Sequence, residues 1–153
     1  MFFHWLKHYG KQAPGATAVV DTVFTQARAA APAVFAADSF QDTARKAKFE
    51  HMCPFLAQTL AHLPAGQGAQ QRRAILEAMI DRIEIGLREA AVSDMKVGPE
   101  VRAYAAALNG RMQRYVPLVQ ANNWPELTAA MAQHGVGSSV AKALQQSTPK
   151  KAA

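Results

Sequence analysis

The chain is predicted to fold as one all-α domain, a bundle of about five to seven helices. Three observations predict it. Alanine supplies 32 of the 153 residues, and alanine loses no side-chain entropy in a helix, which gives it the best intrinsic propensity. Runs of β-branched residues are scarce and aromatics make up only 8%, so strands have little to be built from. Apolar residues recur at three- and four-residue spacing between clusters of Gly and Pro, the pattern of amphipathic helices separated by breakers. With half the residues hydrophobic, a chain of this length fills a single core.

Residues 1–16 read as an N-terminal arm ending in a hinge of Gly10, Pro14 and Gly15, residues 17–146 as the domain, and 147–153 as a basic tail. If helical, the arm sets Phe2, Phe3, Trp5, Leu6 and Tyr9 beside His4, Lys7, His8 and Lys11. Aromatics next to basic groups suit a membrane interface or a hydrophobic partner groove. An arm folded onto its own domain and a disordered arm are the other open readings.

A first helix is expected over 17–30, on Val20, Phe24 and Ala27, with Pro32 stopping it. A short helical turn follows at 33–38. Asp42 or Thr43 suits the N-cap of the next helix, which runs to about Leu63 along Phe49, Met52, Leu56 and Leu60, with a kink expected at Pro54. Residues 70–91 form the clearest amphipathic pattern. Leu76, Ile80, Ile83 and Leu87 are its predicted core stripe, flanked by Ile75 and Met79. Arg72, Arg73, Glu77, Asp81, Arg82, Glu84 and Arg88 are its predicted solvated face. A connection over 92–98 leads to Pro99, a residue suited to a first helical position. Val101, Tyr104, Ala105, Leu108, Met112 and Tyr115 mark the helix after it, bent or ended by Pro117. A turn at Asn122 and Asn123 and short helices over 125–132 and 139–145 complete the chain.

Chemistry is sparse. A single cysteine, Cys53, excludes an internal disulfide and a cysteine-based zinc site. No glycine-rich phosphate cradle, dinucleotide fingerprint or paired-histidine zinc motif is present. Cys53 precedes Pro54 in a core-bearing helix and reads as a buried, inert thiol. His4 and His8 have helical ligand spacing but no third ligand, and His51 and His62 read as structural. Asp81, Glu84 and Glu89 alternate with Arg82 and Arg88, as on a solvated face. The expectation is a protein that is not an enzyme, with no metal and no cofactor.

Seventeen Lys and Arg against 11 Asp and Glu leave a net charge of +6. The cations are scattered, with pairs at Arg45–Lys46, Arg72–Arg73 and Lys150–Lys151, and no recognition-helix signature accompanies them. Sequence-specific nucleic-acid binding is therefore not expected, whereas an anionic membrane surface or a ribosome suits the charge. No apolar run reaches the roughly 18 to 20 residues needed to span a bilayer, and the N-terminus lacks a continuous apolar signal core. The expected location is cytoplasmic, or peripheral on the inner face of the cytoplasmic membrane.

One stretch is less generic. Residues 87–119, LREAAVSDMKVGPEVRAYAAALNGRMQRYVPLV, resemble the ubiquinol–cytochrome c chaperone family through Leu87, Arg88, Glu89, Val92, Asp94, Val97, Gly98, Val101, Gly110, Arg111 and Tyr115. Upstream, Arg28, Pro32, Phe35, Phe49, Glu50 and Leu60 extend the likeness. Two departures stand out: the family's Gly-Val-Gly-Asp is Ala-Val-Ser-Asp at 91–94, and its tyrosine before Gly-Arg is Asn109. The resemblance implies a helical, non-catalytic assembly factor of respiratory complex III that binds cytochrome b as it is made and inserted. The alternative is a peripheral membrane or ribosome-surface adaptor unrelated to complex III.

The chemistry of the matched residues suggests how they act. Asp94 suits a cap or a charge-assisted bond from Arg111. Gly110 costs a helix about 1 kcal/mol relative to alanine unless a close backbone approach compensates. The turn carrying Asp94 and Gly98 is therefore expected to fold back onto Gly110 and Arg111. Shielding an apolar membrane-protein client needs an exposed apolar groove. That groove is expected beside Tyr104, Leu108, Arg111, Met112 and Tyr115, or near the arm.

Overall fold

Among the described residues, 14–64 and 68–147 of the computed structural model, the chain forms seven helices and no strand. They are α1 Pro14–Ala30, α2 Pro32–Ala36, α3 Asp42–Ala61, α4 Gly68–Glu89, α5 Asp94–Gln120, α6 Trp124–Ala132 and α7 Ser138–Ser147. This is the predicted all-α bundle. The arm residues Phe2, Phe3, Trp5, Leu6 and Lys7, with His4 and His8, and the Lys150–Lys151 tail lie outside the described residues.

Helix α3 is the hub. It packs along α5 and against α1, α2 and α7, while α4 lies between α1 and α5. The core runs through Val20, Val23, Met52, Leu56, Leu60, Met79, Leu108, Tyr115, Leu127 and Leu144, all nearly inaccessible. A small satellite of Leu87, Val97 and Val101 sits under the α4–α5 connection, with Val92 and Tyr104 against it. Gln58 ties the far end of α3 to α7, donating to the Leu144 carbonyl at 2.8 Å.

Three helices end the same way. At the ends of α4, α5 and α6, one residue takes a left-handed conformation: Ala91 (φ 62°), Asn122 (φ 54°) and Gly135 (φ 78°). In each, the next amide reaches back five residues. Val92 bonds the Leu87 carbonyl at 3.1 Å, Asn123 that of Leu118 at 2.9 Å, and Val136 that of Met131 at 3.1 Å. This is the Schellman ending, which satisfies free carbonyls of the last turn. Glycine and asparagine suit the left-handed position; alanine does not. The turn at 91–94 thus has a glycine-type backbone at an alanine.

Several boundaries differ from expectation. Helix α1 begins at Pro14 and Ala16 is buried, so the domain starts inside what reads as the arm. Neither Asp42 nor Thr43 caps α3: Gln41 holds that position, without a side-chain cap, and Asp42 instead accepts from Lys46 at 3.0 Å. Pro54 does not interrupt α3. Helix α5 starts at Asp94, not Pro99, because the Ser93 carbonyl already accepts the Lys96 and Val97 amides at 2.8 and 3.0 Å. Pro117 likewise falls inside α5, within a turn of its end.

The buried face of α4 is also displaced. Ala74, Ile75, Ala78, Met79 and Leu87 are buried, whereas Leu76, Ile80 and Ile83 are half-buried. Glu77 and Glu84, expected on the solvated face, are buried too. Because α4 contacts both α1 and α5, its covered face is wide. Each carboxylate is met by an arginine one turn away, Arg73 at 3.2 Å and Arg88 at 3.3 Å.

Candidate functional site

The first half of α3, one edge of α5 and the α4–α5 turn enclose a groove of about 820 Å³. Along α5 its wall is Glu100, Ala103, Tyr104, Ala107 and Arg111. At about 100° per residue these positions share one narrow stripe. Alanine at 103 and 107 leaves the space that larger side chains would fill.

Phe49 of α3 meets Tyr104 edge to face, with ring centroids 5.1 Å apart at 63°. This geometry suits the quadrupoles of two rings. Next to it, Arg111 holds Glu50 through two hydrogen bonds, Nε to Oε1 at 2.8 Å and Nη2 to Oε2 at 2.7 Å. This fork is the strongest arrangement an arginine and a carboxylate can make. His134 Nδ1 lies 3.9 Å from the same carboxylate.

At the other end, Arg45 Nη1 donates to the Ser39 and Phe40 carbonyls at 2.9 and 3.0 Å, which fixes the segment before α3. Phe40 stands at the rim, 63% exposed, and is one of the few large apolar side chains left in water. Burial raises the Tyr104 hydroxyl above its usual range, and the Asp42 carboxylate adds to this while the Arg45 guanidinium opposes it. Tyr104 is thus a neutral hydrogen-bonding group. One further polar atom of the groove, Glu100 Oε2, is buried with no hydrogen-bond partner among the described residues. Lys46 and Lys96 also line the groove, beside the carboxylates of Asp42 and Glu100.

The predicted site residues divide sharply. Tyr104 and Arg111 line the groove. Leu108, Met112 and Tyr115 do not: they are 1%, 6% and 0% exposed and belong to the core. Their stripe is rotated about a quarter turn from the groove wall at 100° per residue, so the expected apolar client face on α5 is covered by the chain itself. Burial and the nearby Cys53 and Glu50 push the Tyr115 hydroxyl far up, which keeps it neutral in that core.

The expected staple between Asp94 and Gly110–Arg111 is not formed. Helix α5 is continuous, so Asp94 and Arg111 lie about 25 Å apart along it. Asp94 instead accepts from Arg88 at 3.0 Å, in the open. A Cβ on Gly110 would meet nothing within 4 Å, and one on Gly98 only Arg102 Nη1 at 3.5 Å. Neither glycine serves a close approach.

The remaining candidates are held inside the fold. Cys53 is buried; burial and then Glu50 raise its thiol well above the usual range, with Arg111 opposing. His51 and His62 each turn a ring nitrogen back to the carbonyl four residues earlier, Ala47 at 2.7 Å and Gln58 at 2.8 Å. No cluster of three His, Cys, Asp or Glu among the described residues is placed to hold a metal ion. None of the described helices is long and apolar enough to cross a membrane.

Sequence reasoning missed Phe40, Arg45, Lys46, Lys96 and Glu100 as groove residues. The available signal was the stripe of alanines at 103 and 107 between Glu100 and Arg111, a helix edge that is neither apolar enough for a core nor charged throughout. Compared with family models, curated proteins and solved structures, the chain matches none.

Proposed function

We propose that this protein is a non-catalytic assembly factor of respiratory complex III that holds a segment of cytochrome b in the α3–α5 groove. The Glu50–Arg111 pair carries the reading. Glu50 belongs to the upstream stretch that resembles the ubiquinol–cytochrome c chaperone family and Arg111 to the downstream stretch. Sixty-one residues apart, they join at the groove. The likeness therefore falls on both sides of one site.

The groove's chemistry narrows the kind of segment. A bare membrane-spanning helix would leave Lys96 without a partner and offer nothing to Lys46 and Arg45 beyond the Asp42 they share, and burying poorly paired charge is costly. A loop or helix end with a large apolar side chain beside acidic or amide groups meets both Phe40 and the lysines Lys46 and Lys96. This replaces the wholly apolar shielding face expected on α5.

The test is a deletion strain of the source organism assayed for assembled complex III, with co-purification of cytochrome b on the tagged protein. Loss of the complex is expected, and Lys46→Glu with Lys96→Glu lowers the recovered cytochrome b about tenfold, as for charge-assisted contacts of about one to two kcal/mol. Normal complex III in the deletion strain overturns the proposal. Salt-sensitive binding to vesicles or ribosomes in that same strain would favour the adaptor reading.

A further inference from the structure

A second hollow, of about 150 Å³, lies on the other side of the Phe49–Tyr104 pair. Met52, Met79 and Leu87 form its floor and are almost wholly inaccessible. Phe24 and Ile83 wall it. An apolar space of this size takes a benzene-sized group, and methionine floors adapt to what enters.

The mouth is cationic and no carboxylate lines it. Lys48 Nζ donates to the Ala37 carbonyl at 2.6 Å and to Ser39 Oγ. An ammonium has three donors, so two neutral oxygens fix the group and one N–H stays available. Among the described residues no carboxylate comes within 4.0 Å of Lys48, whereas Arg82 is already engaged by Asp21 and lies over the Phe24 ring at 4.2 Å. Arg45 shares the rim and has Asp42 at 3.5 Å.

Gly86 is the second independent sign. It lies inside α4, where glycine weakens a helix. A Cβ built there would meet nothing within 4 Å, so no close packing requires its absence. Gly86 lines the hollow, and the space next to it is open to a larger side chain.

We infer that this hollow binds a free medium-chain carboxylate, with its hydrocarbon tail between Phe24 and Ile83, above Met52, Met79 and Leu87, and its anionic head on Lys48. The site is separate from the client groove and does not rest on the client reading. Neutral walls select the tail; the half-buried, uncompensated ammonium selects the charge.

The experiment follows the methionine methyl signals of the full chain by NMR during titration with sodium octanoate, octanol and octyltrimethylammonium. Met95, 90% exposed, serves as the internal control. Octanoate shifts the Met52 and Met79 signals saturably, octanol binds about tenfold more weakly, and the cation does not bind, as expected for a charge-assisted contact. Lys48→Gln lowers octanoate affinity about tenfold and leaves octanol unchanged. Gly86→Leu abolishes both while raising the thermal midpoint, because leucine favours the helix; that gain shows the variant is folded. The inference is overturned if octanoate up to about 10 mM, the weak end of useful affinity, leaves Met52 and Met79 unmoved. It is equally overturned if octanol matches octanoate, if Gly86→Leu retains binding, or if anionic vesicles alone produce the shift.

Discussion

The two halves of α3 belong to different environments. From His51 to Gln58 every residue is buried, closed at the far end by Gln58 on α7. Between Asp42 and Lys48 the same helix is half-buried or exposed and carries Asp42, Arg45, Lys46 and Lys48. The buried half is there for packing, and its polar groups turn back onto backbone carbonyls. The open half holds polar groups that packing does not consume, and both hollows border it. The difference shows where this fold has capacity for a guest.

The largest expected effect tests the buried half through its thiol. Burial and Glu50 hold Cys53 well above its ordinary value in the folded chain. A raised folded value means that stability is fully present below the unfolded pKa and is lost as pH climbs above it. A thiol-reactive dye at pH 8 should therefore modify Cys53 at least about a thousandfold more slowly than in the urea-unfolded chain, reaching it only by opening. Urea midpoints should fall as pH is raised beyond about 9, the region where the unfolded thiol ionises. Rapid labelling of the native chain would remove the distinction between the halves.

Next comes a pair of truncations within the one helix. Leu56 is fully inaccessible, and Leu56→Ala should cost about 3 kcal/mol by lost burial and a residual cavity. Lys46, exposed and paired only with exposed Asp42, should lose no more than about 0.5 kcal/mol as Lys46→Ala. Urea unfolding of both variants reads the contrast directly. Comparable losses would mean that the open half contributes as much to stability as the buried one.

This contrast also explains what could be read from the sequence. Helical periodicity reports which residues avoid water, so the core stripe of Phe49, Met52, Leu56 and Leu60 and the existence of each helix were legible. The groove was not, because Tyr104 lies at the border between the core stripe and the groove wall of α5, and periodicity assigned it to the former together with Leu108, Met112 and Tyr115. Glu77 and Glu84 were misplaced for a related reason: their i+4 and i−4 arginines look the same in sequence whether the carboxylate is solvated or buried. The Glu50–Arg111 pairing was out of reach, since it depends on how two distant helices cross.

Breaking that pair probes the boundary between the halves. Arg111→Met removes two charge-assisted bonds and leaves Glu50, whose side chain is 16% exposed, without its partner. Because the pair is partly screened by water, the expected loss is about 1.5 kcal/mol, below the range for fully buried pairs. Adding Glu50→Gln should recover part of it, as removing both charges is cheaper than stranding one. A double-mutant cycle in urea measures the coupling. If the two single losses simply add, the fork is a surface contact and the groove lacks its anchor.

The smallest effect concerns the turn that closes the groove. Ala91 takes φ 62° in an ending that Gly135 makes at φ 78° and Asn122 at φ 54°. A left-handed alanine costs about 1 kcal/mol or somewhat more. Glycine relieves that strain but enlarges the unfolded ensemble, which takes back roughly half of it. Ala91 is exposed, so its methyl gives up little packing. Ala91→Gly should therefore stabilise the chain by about 0.5 kcal/mol. Gly135→Ala should do the reverse, losing about 1 kcal/mol although its Cβ would have open space. Opposite signs for one chemical change at two matching endings would locate stored backbone strain at the groove's edge and not at the closed end of the bundle. Equal signs would mean that the alanine turn is relaxed, and that the open half of α3 is set by its charges alone.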